Sequence, residues 1–209
     1  MSIIYPGLSY HDRKGNPIYT DFRNMIRVEQ IFEDDDIPDD EKFVISVGLL
    51  YGDKLPKGMD LQEAFAELIW FYTRSEETNE SDSKTNTKKL YDFEQDADYI
   101  YASFLETYNI DITDPHLKLH WWQFMALFIS LPEDTIMSKR MYYRDVDTSK
   151  MKGSQKKEYE KIKKSIALKN KRKNSLKALT AEQAKQATLD RYNKRYEEAQ
   201  RLIKEKGEK

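Results

Sequence analysis

Apolar residues in the first two thirds of the chain recur at three- and four-residue spacings, with no alternating apolar runs long enough for a large sheet, so the pattern predicts helices. After a Gly/Pro-rich start (Pro6, Gly7, Gly15, Pro17), Asp21 is placed to cap a helix through Phe22, Met25, Ile26, Val28 and Phe32, its carboxylate accepting from backbone N–H groups that have no partner inside the helix. The run Glu33, Asp34, Asp35, Asp36 ends it. Pro38 suits the first position of a second helix, with Asp39, Asp40 and Glu41 at its positive end and Phe43, Val44, Val47, Leu50 and Tyr51 on one face; Gly52 is its stop. Asp60 with Glu63 forms a capping-box pattern ahead of a third helix, whose stripe is Leu61, Ala64, Phe65, Leu68, Ile69 and Tyr72. A fourth carries Phe93, Ala97, Ile100, Tyr101, Phe104, Leu105 and Tyr108. Thr113, Asp114 and Pro115 supply a cap and a first-position proline for a fifth helix that contains Trp121, Trp122, Met125, Leu127, Phe128 and Ile129, and Pro132 opens a sixth reaching Tyr142 or Tyr143. Each large apolar side chain buried contributes about 1.5–3 kcal/mol before entropy, so these stripes can hold a compact bundle without a cofactor.

Two segments break this pattern. From Ser75 to Lys89 there is no apolar residue to offset the entropy of ordering, which predicts a mobile loop. Beyond residue 150 the pattern thins: a short helix with sparse Ile162, Ile166 and Leu168, a connector over Lys169–Ser175, then Thr180 and Gln183 as a second capping-box pair. Leu189, Tyr192, Tyr196, Ala199 and Ile203 follow at steps of three and four, a narrow seam ended by Gly207. A helix over 180–206 would be about 40 Å long with one side wanting cover, from a partner or from self-association through that seam.

Charge sharpens the boundary. The chain of 209 residues has a net charge of −2, but residues 1–149 total −14 and residues 150–209 total +12. All three Trp, all nine Phe and eleven of the fourteen Tyr precede residue 150. The expected organisation is therefore all-α: an acidic helical bundle over 1–149, followed by a basic, extended helical tail over 150–209 that serves as an interaction segment. Zero Cys excludes disulfides, thiolate metal sites and Cys nucleophiles. No apolar stretch approaches the length that spans a bilayer, and Met1–Pro6 lacks the pattern of a secretory leader, which reads as a soluble chain without a membrane partner.

Candidate chemistry is sparse. His116 and His120 stand four apart on the expected fifth helix, but the residues between them are Leu117, Lys118 and Leu119, without the Glu that activates water in the zinc-protease pattern. The acids Asp34, Asp35, Asp36, Asp39, Asp40 and Glu41, and then Asp92, Glu94, Asp96 and Asp98, are hard ligands of the kind Mg²⁺ and Ca²⁺ use. The first group lacks the Gly and distal Glu of a calcium loop, and both stand near helix starts, where acids already have an electrostatic role. No metal, cofactor or catalytic residue is assigned, and no enzyme activity is expected. Trp70, Phe71 and Tyr72, like Trp121 and Trp122, point about 100° apart along a helix and are read chiefly as core. In Trp121/Trp122 and in Tyr142/Tyr143 one member is expected at the surface as a protein anchor. With Leu189, Tyr192, Tyr196 and Ile203 of the seam, these are the candidate protein-binding residues. The lysines of the tail (Lys150, Lys152, Lys156, Lys157, Lys161, Lys163, Lys164) suit phosphates, but no base-reading motif accompanies them, and protein contact is favoured over nucleic acid.

The segment from Tyr91 to Phe104, with Tyr91, Asp92, Phe93, Glu94, Gln95, Asp96, Ala97 and Asp98 at its start, and the run Leu119, His120, Trp121, Trp122, Gln123, Phe124 resemble the bacteriophage gene-product-fifteen family. Asp21-Phe22-Arg23, Ile37-Pro38-Asp39, Leu68 to Tyr72 and Tyr143-Arg144 extend the likeness over about residues 18–165; the tail beyond Lys169 carries no matching motif. The resemblance implies a tail-morphogenesis gene of long-tailed phages of Gram-positive bacteria, and a tail assembly chaperone that coats the tape-measure protein in the host cytoplasm and yields to tail-tube subunits. The alternative it implies is a structural tail or connector component retained in the virion. It carries over no catalytic residue.

Overall fold

The computed structural model describes residues 10–73 and 88–169, and these fall into two compact units. Among the described residues the fold is all-α. Seven helices account for the regular structure, and the one β-type contact is an isolated bridge between His11 and Pro17. The mobile segment expected over 75–89 and everything beyond Lys169, including the seam helix, lie largely or wholly outside the described residues.

The first unit holds α1 (Phe22–Glu33), α2 (Asp39–Tyr51) and α3 (Leu61–Tyr72). Asp21 caps α1 by accepting from the Arg23 N–H, and Asp60 caps α3 by accepting from the Glu63 N–H, as the pattern predicts. Phe32, Phe43 and Phe65, one from each helix, meet edge-on or tilted with centroids 4.5–5.9 Å apart, around which Met25, Val28, Val47, Leu50, Leu68 and Phe71 close the core. The α2 helix departs from the expected stripe. Pro38 stands just before its first residue rather than at it, and Val44 is 50% exposed, while Lys42 and Ser46 are buried. The reason is at the neighbouring helix end: Lys42 Nζ donates to the carbonyl of Phe32, closing the last turn of α1, and this fixes the rotation of α2. Gly52 ends α2 at φ +81°, where a Cβ would meet the Tyr19 ring at 3.0 Å.

The second unit holds α4 (Ala97–Tyr108), α5 (Trp121–Ile129), α6 (Ile136–Asp145) and α7 (Gly153–Ser165). Phe124 is its hub, stacked on Phe104, Trp121 and Phe128 at 5.1–6.1 Å and tilted against Phe93. Three helix starts differ from expectation. The α4 helix begins at Ala97, leaving Phe93 in the preceding turn, although Phe93 is still buried. The α5 helix begins at Trp121, not near Pro115, because the Asp111 and Asp114 carboxylates accept from the N–H groups of Thr113 and His116 and hold that stretch in turns. The α6 helix begins after Thr135, whose hydroxyl accepts from the Ser138 N–H, so Pro132 lies in the turn before it. Leu105, expected inside, is exposed.

Candidate functional site

The richest polar arrangement in the second unit is built by the residues that open α4. Asp92 accepts from the N–H groups of Glu94 and Gln95, forming the turn that leads into the helix. Asp96, fully buried, accepts from the Asp92 N–H at 3.1 Å and faces two arginines of α6. Arg144 grips it with two nitrogens at 2.5 and 2.8 Å, and Arg140 reaches the same carboxylate at 3.2 Å while its guanidinium lies 3.8 Å from the centre of the Tyr99 ring. The remaining reach of Arg144, which is 3% exposed, goes to the carbonyls of Leu90 and Ile166, so one side chain ties the approach to α4 and the end of α7 to α6. Gln95 completes the clasp: its amide donates to the Ala167 carbonyl and accepts from the Lys169 N–H, both at 2.9 Å. Lys88 donates to the Arg144 carbonyl and Lys89 pairs with Asp92.

Asp92 and Asp96 therefore serve the turn and the arginines, a role more specific than the helix-start electrostatics their position suggested. The sequence reading singled out Gln95 and Arg144 only as part of the family likeness, without a role, and did not single out Arg140. The available signal was two guanidinium groups four apart on one helix and two carboxylates four apart on the approach to another, a spacing at which each pair can share a face.

In the first unit a second polar knot fixes the loop ahead of α1. Asp12 accepts from the N–H groups of Lys14 and Asn16, from the Asn16 side chain, and from the Tyr51 hydroxyl at 2.7 Å. Burial pushes this carboxyl upward, but the donors together outweigh it and hold Asp12 below its usual value. Burial first, and then the Asp12 carboxylate, push the Tyr51 phenol up. Arg13 meets the buried Glu67 through its backbone N–H, Nε and Nη2 at 2.9–3.1 Å, and the Tyr72 hydroxyl donates to Glu29 at 2.6 Å.

The predicted anchors separate by position. Trp121 is 1% exposed and stacks in the core; Trp122 is half-buried with its edge toward the ring of His120. Tyr142 is 56% exposed and contacts the half-buried Tyr143, which in turn meets Tyr159 of α7, with ring centroids 5.4–5.5 Å apart. Tyr142 above all pushes the Tyr159 phenol up. Leu189, Tyr192, Tyr196 and Ile203 lie outside the described residues. His116 and His120 do not share a helix. His116 is exposed in the turns, whereas His120 is buried as the N-cap of α5, its Nδ1 accepting from the Trp122 N–H and its own N–H donating to Gln123 in a reciprocal capping box. Among the described residues no group of three or more His, Asp or Glu is placed to hold a metal ion, and no helix is long and apolar enough to cross a membrane.

Outer helical faces carry what the cores leave over. On α2, Val44 and Ile45 are 50% and 42% exposed, and Gly48 follows one turn later with open space where a side chain would stand. In the second unit Ile129 is 66% exposed, with Leu105 and Ile136 also outside. A family model described as bacteriophage Gp15 protein matches residues 9–168, which takes in the seven helices and, apart from Lys169, both polar knots. No curated protein and no solved structure matches the chain.

Proposed function

We propose, from the premise that the chain belongs to the bacteriophage Gp15 protein family, that it is a tail assembly chaperone which binds the tape-measure protein, the tail-tube protein or both during morphogenesis. A phage structural or morphogenesis role follows from the family itself; the chaperone role is our reading, and it involves no catalytic step. The observation that supports it best is the outer face of α2. Val44, Ile45 and the bare Gly48 lie at spacings of three and four, so they share a side, and the missing side chain at Gly48 leaves room for another helix to approach closely. The unit's own core is already closed by the facing residues of α1 and α3, so this side is available for a client. The motif residues Asp92, Gln95, Asp96 and Arg144 act as scaffold, holding α4, α6 and α7 together.

Co-expression with the neighbouring tape-measure gene tests partner and purpose at once. The tape-measure protein should become soluble and co-purify with this chain, and Val44→Glu with Ile45→Glu should abolish the recovery. Mass spectrometry should find the chain in infected-cell extracts but absent from purified particles, or there far below tail-tube stoichiometry. Abundant copies in finished particles would instead assign it to the tail or connector.

A further inference from the structure

Two described surfaces of this chain are opposite in charge, and each carries exposed apolar or aromatic groups. On α7, Lys157, Lys161 and Lys164 recur at four and three residues and are all exposed, which sets them in one stripe along the helix. Its other side, through Tyr159 and Lys163, rests on Tyr143 and the Val146 carbonyl. No residue of α7 is buried, so the stripe belongs to its outer surface. Tyr142, exposed on α6, adds an aromatic group to the same Tyr142–Tyr143–Tyr159 cluster. Residues 150–169 total +6.

The complement is the corner between α1 and α2. Asp34, Asp35, Asp36, Asp39 and Glu41 are exposed there, Glu41 stands one turn before Ile45, and residues 10–73 total −7. The corner thus offers carboxylates beside two aliphatic side chains, while α6–α7 offers lysines beside a tyrosine. A chain whose total is only −2 has little net self-repulsion to keep copies apart, whereas its oppositely charged regions attract.

We propose that the α6–α7 surface of one copy docks on the acidic α1–α2 corner of a second copy, giving a head-to-tail association. Such a contact is heterologous: a pair of copies retains one unused surface of each kind, the corner of one and the α6–α7 surface of the other, so further copies can add. It also covers the α2 face assigned above to the client, making self-association and client binding mutually exclusive. Because the contact is exposed and largely charged, it weakens steeply with salt.

Sedimentation velocity on the full chain, without any client, tests this. The wild type should associate with rising concentration at about 50 mM salt and lose about tenfold or more in affinity by about 500 mM. Lys157→Glu/Lys161→Glu/Lys164→Glu and Asp35→Lys/Asp36→Lys should each sediment as monomers with unchanged far-ultraviolet circular dichroism, and an equimolar mixture of the two should recover a complex. A wild type that stays monomeric at every concentration, association that survives either reversal, or a mixture that fails to associate would overturn the proposal. Should a reversed variant misfold, the salt series on the wild type and the neutral variant Lys157→Gln/Lys161→Gln/Lys164→Gln decide the outcome. Failure here leaves the client reading untouched, since no client enters the experiment.

Discussion

Arg144 shows how much of the second unit hangs on one side chain. It is buried, its charge is matched by Asp96, and its remaining donors satisfy two backbone carbonyls from distant parts of the chain. Removing one partner of such a pair strands the other without water, which typically costs about 3–5 kcal/mol. Arg144→Met and Asp96→Leu should each lower unfolding free energy by about that much in urea titrations, and Arg144→Lys should recover little, since an ammonium cannot span a carboxylate and two carbonyls. Asp12 makes a different point. Its folded value lies below 3.8, so the unfolded chain takes up the proton first; its contribution is fully present above that value and is lost as pH falls through the folded one. Asp12→Asn should therefore destabilise at neutral pH, and the gap to wild type in denaturant midpoint should shrink steadily as the solution is acidified below pH 3.8.

At the scale of elements, local chemistry decided where helices begin. Asp21, Asp60 and Gly52 act at the positions where their side chains, or the lack of one, make capping favourable, and these were legible from residue type and spacing. His120 was not, because imidazole is an uncommon cap and the more usual signal, Thr113-Asp114-Pro115, stood a few residues earlier. In the fold the Asp111 and Asp114 carboxylates are spent on turns, and the reciprocal bonds of His120 and Gln123 start α5 instead. His120→Ala should cost about 1 kcal/mol or somewhat more, as loss of a cap does, whereas His120→Asn should retain most of it; thermal unfolding of the two variants side by side separates the cap from mere filling of space.

For the whole molecule, each of the two units has its own aromatic centre, Phe32–Phe43–Phe65 in one and the Phe124 stack in the other. Truncating a fully buried Phe costs about 3–5 kcal/mol. Phe124→Ala should thus raise amide hydrogen exchange across α4, α5 and α6, read by mass spectrometry, well before global unfolding. The charge division at residue 150 describes composition, whereas α7, basic as it is, belongs with the second unit because Arg144, Gln95 and Tyr143 hold it there.

Helical class, most of the apolar stripes, the acidic and basic regions and the family likeness were all determined by the chain's own order of residues, since periodicity, capping and charge act over a few positions and need no knowledge of neighbours. Which side of α2 faces inward, which tryptophan is core, and what the buried Asp96 is for were decided only by tertiary structure. Each depends on a partner outside its own helix: the Phe32 carbonyl for Lys42, the Phe93 ring for Trp121, the α6 arginines for Asp96. A charge or an aromatic ring reads the same in sequence whether water or such a partner surrounds it, and that difference in surroundings is what sets its role.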